Sequence, residues 1–133
     1  MPLETHEAAS RFRALSLLAQ GYVEALFFTS TGPDDNDLAG ASFDDLADEV
    51  LQAIEADCDT FATMADPILA KVDANGYGST EAGRDFWYSR SGAGTGFWAR
   101  DELGDAGDQL DQIASGYVHK DLYRGDDGRL YLG

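Results

Sequence analysis

Positive charge is what this chain lacks most. Nine Lys and Arg stand against 25 Asp and Glu in 133 residues, a formal net charge of −16 at pH 7. Such a field repels nucleic acid and anionic membrane and attracts basic surfaces over a range set by salt. Cysteine is nearly absent too. Cys58 stands alone, so no internal disulfide can form, and a reducing cytosol is compatible with that usage. A long apolar run is also missing. Ala14–Phe28 comes nearest, but Gln20 and Glu24 interrupt it. The stretch before it mixes Glu4 and Glu7 with Arg11 and Arg13, unlike the basic start of a signal peptide. These absences predict a soluble protein of the cytoplasm, with no membrane association and no direct contact with nucleic acid.

What is present suffices for a folded core. With 44% hydrophobic residues, the length fits one domain over 1–133, and the composition argues against wholesale disorder despite the charge. The charge is unevenly placed. Residues 31–81 hold thirteen acids against Lys71 alone, so most of the net charge falls in that stretch. Asp outnumbers Glu by 18 to 7 and only two bases are Lys, a balance that halophilic adaptation or a GC-rich genome also produces. Halophilic acidity would coat the surface evenly, whereas here it is concentrated.

Spacing along the chain predicts an α+β fold: two N-terminal helices, then hairpin, helix and hairpin forming a small antiparallel sheet. Phe12, Leu15, Leu18, Ala19, Tyr22, Val23, Leu26 and Phe27 recur at three- and four-residue steps, which predicts one helix over 5–29. Its wide stripe suits the core or a homodimer interface. Ser30–Gly40 reads as an acidic loop. Ser42 and Asp45 have capping-box spacing, and Phe43, Leu46, Val50, Ile54, Cys58, Phe61 and Met64 continue a second helix until Pro67 ends or kinks it. A short continuation around Ile68–Val72 and a turn over Asp73–Gly78 follow. Phe86–Arg90 and Thr95–Trp98 are β-prone runs around Ser91–Gly94, a hairpin signal. Leu103–Tyr117 returns to helical period. Leu122–Arg124 and Arg129–Leu132 flank Gly125-Asp-Asp-Gly128, a second hairpin signal.

The run Ala82-Gly-Arg-Asp-Phe-Trp-Tyr-Ser-Arg-Ser-Gly-Ala-Gly-Thr-Gly-Phe-Trp-Ala-Arg100, with Asp121-Leu-Tyr-Arg-Gly-Asp-Asp-Gly-Arg-Leu-Tyr131, resembles a family of small phage and mobile-element proteins. Their pattern is roughly AGxDFWxTRNGHGxGFWxR followed by DLYxGDDGxxY. This chain carries Ser89, Ser91 and Ala93 where that pattern has Thr, Asn and His. The resemblance implies phage context more than it implies an activity.

Chemistry-bearing constellations are few. Asp44, Asp48, Glu55 and Asp59 fall at steps of four, seven and four, lining one side of the second helix, and Asp45 and Glu49 widen the strip. At about 1.5 Å of rise per residue, members four apart lie about 6 Å from each other, comparable with the charge spacing of a nucleic-acid strand. Asp34, Asp35 and Asp37 lie just upstream. The acidic loops fail as calcium sites: counted from Asp35, position six is Gly40 but position twelve is Leu46; counted from Asp73, position twelve is Arg84. Cys58 sits on an apolar stripe, and neither His6 nor His119 pairs with a nucleophile, so no catalytic residue, cofactor or metal ligand is expected. Gly92-Ala-Gly94-Thr-Gly96 lacks the ending of a phosphate loop. Phe86, Trp87, Tyr88, Phe97 and Trp98 could stack on bases, but the charge opposes phosphate.

The sequence therefore predicts a non-enzymatic, acidic phage or mobile-element protein acting in the host cytoplasm. Asp34, Asp35, Asp37, Asp44, Asp45, Asp48, Glu49, Glu55 and Asp59 would mimic DNA toward the basic surface of a restriction, CRISPR or repair factor. The competing reading is an accessory phage protein whose acidity serves solubility or halophilic adaptation.

Overall fold

The computed structural model describes residues 12–30, 43–71, 77–91, 95–118 and 121–132. Four α-helices carry the described core: α1 (Leu17–Ser30), α2 (Asp48–Leu69), α3 (Ser79–Ser91) and α4 (Asp105–Ser115). Short 3-10 turns lie at Phe43–Asp45, Phe97–Ala99 and Asp101–Leu103. One two-stranded antiparallel sheet closes the described chain, with β1 (Leu122–Arg124) paired to β2 (Leu130–Leu132) in the register Leu122↔Leu132 and Arg124↔Leu130.

This architecture overturns the expected order of two helices followed by hairpin, helix and hairpin. Phe86–Arg90 is not a strand but the second half of α3, and Phe97–Ala99 is a 3-10 turn. Aromatic residues favour strands only insofar as a pleated surface receives them. Here Ala82, Phe86 and Arg90 recur every four residues and are all buried, as are Gly83 and Trp87. Helical packing against α1 outweighs the local preference. The start of α3 is held by Glu81, whose Oε2 accepts the Gly78 N–H at 3.0 Å.

Other boundaries moved for identifiable reasons. The first helix is interrupted at Leu15 and Ser16, where Ser16 Oγ accepts the Ala19 N–H at 3.1 Å and caps α1. Residues 5–11 of the expected long helix, and Ser42 of the expected capping box, lie outside the described residues. α2 begins at Asp48 because the chain before it is committed elsewhere. Leu46 bridges β2 at Leu130, and the Ala47 N–H donates to the Leu130 carbonyl at 3.1 Å. Pro67 sits inside the last turn of α2, which runs on to Leu69.

α1 and α3 approach until backbone meets backbone. A Cβ on Gly21 would overlap the Thr80 carbonyl, and one on Gly83 would overlap the carbonyl of Leu18. Beside this contact an aromatic column fills the centre. Phe61 of α2 stacks on Phe86 at 4.2 Å and on Phe97 at 5.6 Å, while Tyr22 of α1 meets Phe86 and Trp87 at 5.3 and 5.4 Å. Trp87 donates its indole N–H to Thr29 Oγ1 at 2.8 Å, so its polar edge is satisfied. Leu110 and Ala114 of α4, with Leu46 and Leu130, join the same buried cluster.

The glycine contact makes a direct prediction. Gly83→Ala should destabilise the protein by about 2 kcal/mol or more, because carbonyl and helix axis must both move. Gly78→Ala, whose Cβ would find only Glu81 Oε2 at 3.4 Å, should stay within about 0.5 kcal/mol. Urea melts of both variants, compared at equal slope, check this.

Candidate functional site

The exposed side of α2 is where the sequence's acidic residues gather. Val50, Leu51, Ile54, Cys58, Phe61 and Ala65 face the core, which turns the opposite side of this 22-residue helix to solvent. Asp48, Glu55, Asp59 and Asp66 are exposed and recur at steps of seven, four and seven. At 100° per residue these steps keep all four within about 40° of one line, spread over about 27 Å of rise. α2 contains neither Lys nor Arg.

The predicted set is therefore only partly brought together. Asp48, Glu55 and Asp59 stand in the row, and exposed Glu49 lies about 100° to its side. Asp44 and Asp45 belong to the 3-10 turn before α2, so neither is in phase with the helical row, and Asp45 is half-buried. Asp34, Asp35 and Asp37 lie outside the described residues. The expected strip omitted Asp66, which the helical run past Asp59 places in line. Its signal was its seven-residue step from Asp59, within a helix already expected to reach Pro67.

One acid of α2 is withdrawn from this surface. Arg90, its side chain 4% exposed, donates to Asp57 Oδ2 at 2.7 Å, to the Tyr22 hydroxyl at 3.1 Å and to the Val118 carbonyl at 2.8 Å. Its guanidinium also lies 5.3 Å from the Tyr117 ring centroid. Burial pushes the Tyr22 phenol well above its ordinary value, with Arg90 opposing the shift. Burial likewise raises the Cys58 thiol, so this 1%-exposed sulfur stays protonated and unreactive.

A second buried pair explains much of the Ala82–Arg100 pattern. Asp85, 1% exposed, accepts two-pronged donation from Arg100 at 2.7 and 2.9 Å and a hydrogen bond from the Tyr77 hydroxyl at 2.8 Å. Gly83, Asp85, Phe86, Trp87, Arg90, Phe97 and Arg100 thus serve close packing and charge pairing, and the pattern reads as a folding motif.

Among the described residues, no three of His, Cys, Asp and Glu gather to hold a metal ion. No helix among them is long and apolar enough to cross a membrane. His6 and His119 lie outside the described residues.

At the C-terminal hairpin, Asp127 accepts from the Tyr131 hydroxyl at 2.6 Å and from the Arg129 N–H at 2.9 Å. The Tyr131 hydrogen bond is the main cause holding the Asp127 carboxyl below its ordinary value, and the same bond pushes Tyr131 up to about 12.

Two predictions follow from these pairs. Arg100→Ala should cost more than Asp85→Asn, about 3 kcal/mol, because it strands a buried carboxylate, whereas the reverse change leaves a half-exposed guanidinium in water; thermal melts of both variants decide the order. Because the folded Asp127 pKa is depressed, the hairpin's stabilisation is present above the unfolded carboxylate range and is lost as pH falls through the folded value. Tyr131→Phe should return the Asp127 titration toward its ordinary range, read by carboxyl NMR.

No protein-family model, curated protein or solved structure matches this chain.

Proposed function

We propose that the chain inhibits a nucleic-acid-binding protein by offering its basic surface a DNA-like row of carboxylates. The observation that carries this reading is the alignment of exposed Asp48, Glu55, Asp59 and Asp66 on a helix without a single base. A rigid helix holds these charges in place before the partner arrives, so less ordering entropy opposes association. The wider field steers basic partners toward it. A phage or mobile-element origin, with a host restriction, CRISPR or repair factor as target, is the biological setting this reading carries. It requires no catalytic group, and the host cytoplasm is where such a target would be met.

A second reading rests on a specific observation as well. Exposed acids also occur at Asp101, Asp105, Asp108, Asp121, Asp126 and Asp127, beyond α2. An accessory protein acidic for solubility or salt adaptation would show that spread.

Replacing Asp48, Glu55, Asp59 and Asp66 together by Asn or Gln separates the two. Under the mimic reading, proteins captured from host lysate by the parent are released by duplex DNA but not by polyglutamate of equal charge. The quadruple variant should lose them while folding as well as the parent. The triple change Asp105→Asn, Asp108→Asn and Asp111→Asn should matter much less. A folded quadruple variant that captures the same proteins as tightly would sink the mimic reading.

A further inference from the structure

The turn between β1 and β2 carries the chain's sole Asp-Gly step, Asp127-Gly128. Both residues are exposed, and nothing lies within 4 Å of where a Cβ on Gly128 would stand. At such a step the Gly128 amide nitrogen can attack the side-chain carboxyl of Asp127, because no Cβ obstructs the approach. A C–N bond forms at Asp127 Cγ, a C–O bond breaks, and the departing hydroxyl leaves as water with the amide proton. The resulting succinimide then takes up water again. Opening at the side-chain carbonyl restores aspartate, whereas opening at the backbone carbonyl gives isoaspartate, with the main chain rerouted through Cβ and Cγ. The sequence of steps needs no other reagent and leaves the mass unchanged.

The hairpin opposes each part of that reaction. The nucleophilic nitrogen is engaged, its N–H donating to the Gly125 carbonyl at 3.0 Å. The Gly128 carbonyl accepts from Arg124 Nη1 at 2.7 Å, which holds the peptide unit from its other side. Both carboxylate oxygens are occupied, Oδ1 by the Arg129 N–H at 2.9 Å and Oδ2 by the Tyr131 hydroxyl at 2.6 Å. The Tyr131 bond also favours the ionised carboxylate, which resists attack because it lacks the hydroxyl that leaves as water. We infer that Asp127-Gly128 is a site of spontaneous isoaspartate formation, held in check by Tyr131 and Arg124, whose conversion loosens the anchor from which α2 starts. The link to α2 follows from position. Leu130, between Arg129 and Tyr131, is fully buried, bridges Leu46 and accepts the Ala47 N–H at 3.1 Å. Isoaspartate adds one carbon to the backbone of the turn and sets its carboxylate directly on Cα, so the reach that met both Arg129 and Tyr131 is lost. Leu130 is then no longer flanked by two bonds from one fixed side chain.

The test ages the full chain in warm, mildly acidic buffer and follows the tryptic peptide that carries Asp127, by liquid chromatography with fragmentation that distinguishes the two isomers. Tyr131→Phe keeps the ring and deletes the hydroxyl. It should form isoaspartate about fivefold faster than the parent, the effect of losing one hydrogen bond. Arg124→Gln, which releases the grip on the Gly128 carbonyl, should also age faster, and the parent held unfolded in urea should be fastest of all. Thermal melts before ageing establish that both variants fold. Amide exchange of Ala47, read by NMR, should be severalfold faster in the isoaspartate form than in the parent. Absence of isoaspartate from the urea-unfolded chain would overturn the site. Folded variants that both age at the parent's rate would overturn the guard, and Ala47 exchange unchanged by conversion would overturn the link to α2.

Discussion

Everything described in this molecule hangs on how closely α1 and α3 approach. With glycine at positions 21 and 83, each helix sets a bare backbone against a carbonyl of the other. That contact fixes the rotation of α3, and the rotation decides where its polar side chains go. Trp87 reaches Thr29, Arg84 reaches Glu24 at 3.1 Å, and Arg90 reaches both Tyr22 and Asp57. Through Arg90 and the Phe61–Phe86 stack, α2 is then held with one face down and the other in water. The acidic row is thus displayed by a chain of contacts that starts at two missing side chains.

The interior resolves its charges in two different ways. Arg90 is almost fully enclosed and spends its donors on a carboxylate, a phenol and a carbonyl, with aromatic rings against its plane. Asp85 is the enclosed partner in the second pair, and its Arg100 remains at the surface. Removing the more exposed member of such a pair leaves the enclosed charge desolvated and alone, so both pairs specify how the helices meet. On α2 the exposed acids run the other way. Their mutual repulsion is tolerated at a surface where water and salt screen it, and basic matter approaching them meets a preformed field.

Much of the helical order was legible because burial repeats at the helical period. The stripes through Leu18–Leu26, Val50–Phe61 and Leu110–Ala114 are where apolar residues recur, and each is a helix face in the core. The Gly125-Asp-Asp-Gly128 hairpin was legible for a different reason: its turn residues act locally, with Gly128 at φ +83° and Asp127 bonded two residues on. Phe86–Arg90 misled because three consecutive β-favouring side chains outvoted a four-residue repeat that begins upstream at Ala82. The acidic row was read one turn too early, since Asp44 precedes the helix and Asp66 belongs to it.

The sequence alone determined the quantity of charge, its concentration between residues 31 and 81, the lone cysteine and the helical period of most of the core. These are properties of composition and neighbouring spacing, which survive whatever the chain does at long range. Tertiary structure decided which acids stand in line, which one is neutralised from within and which aromatic run becomes helix. Each of those outcomes depends on residues far apart in the chain: Asp57 meets Arg90 33 positions away, and Ala47 meets Leu130 across most of the described chain. Pairings of that range are settled only when desolvation forces each buried polar group to find a partner.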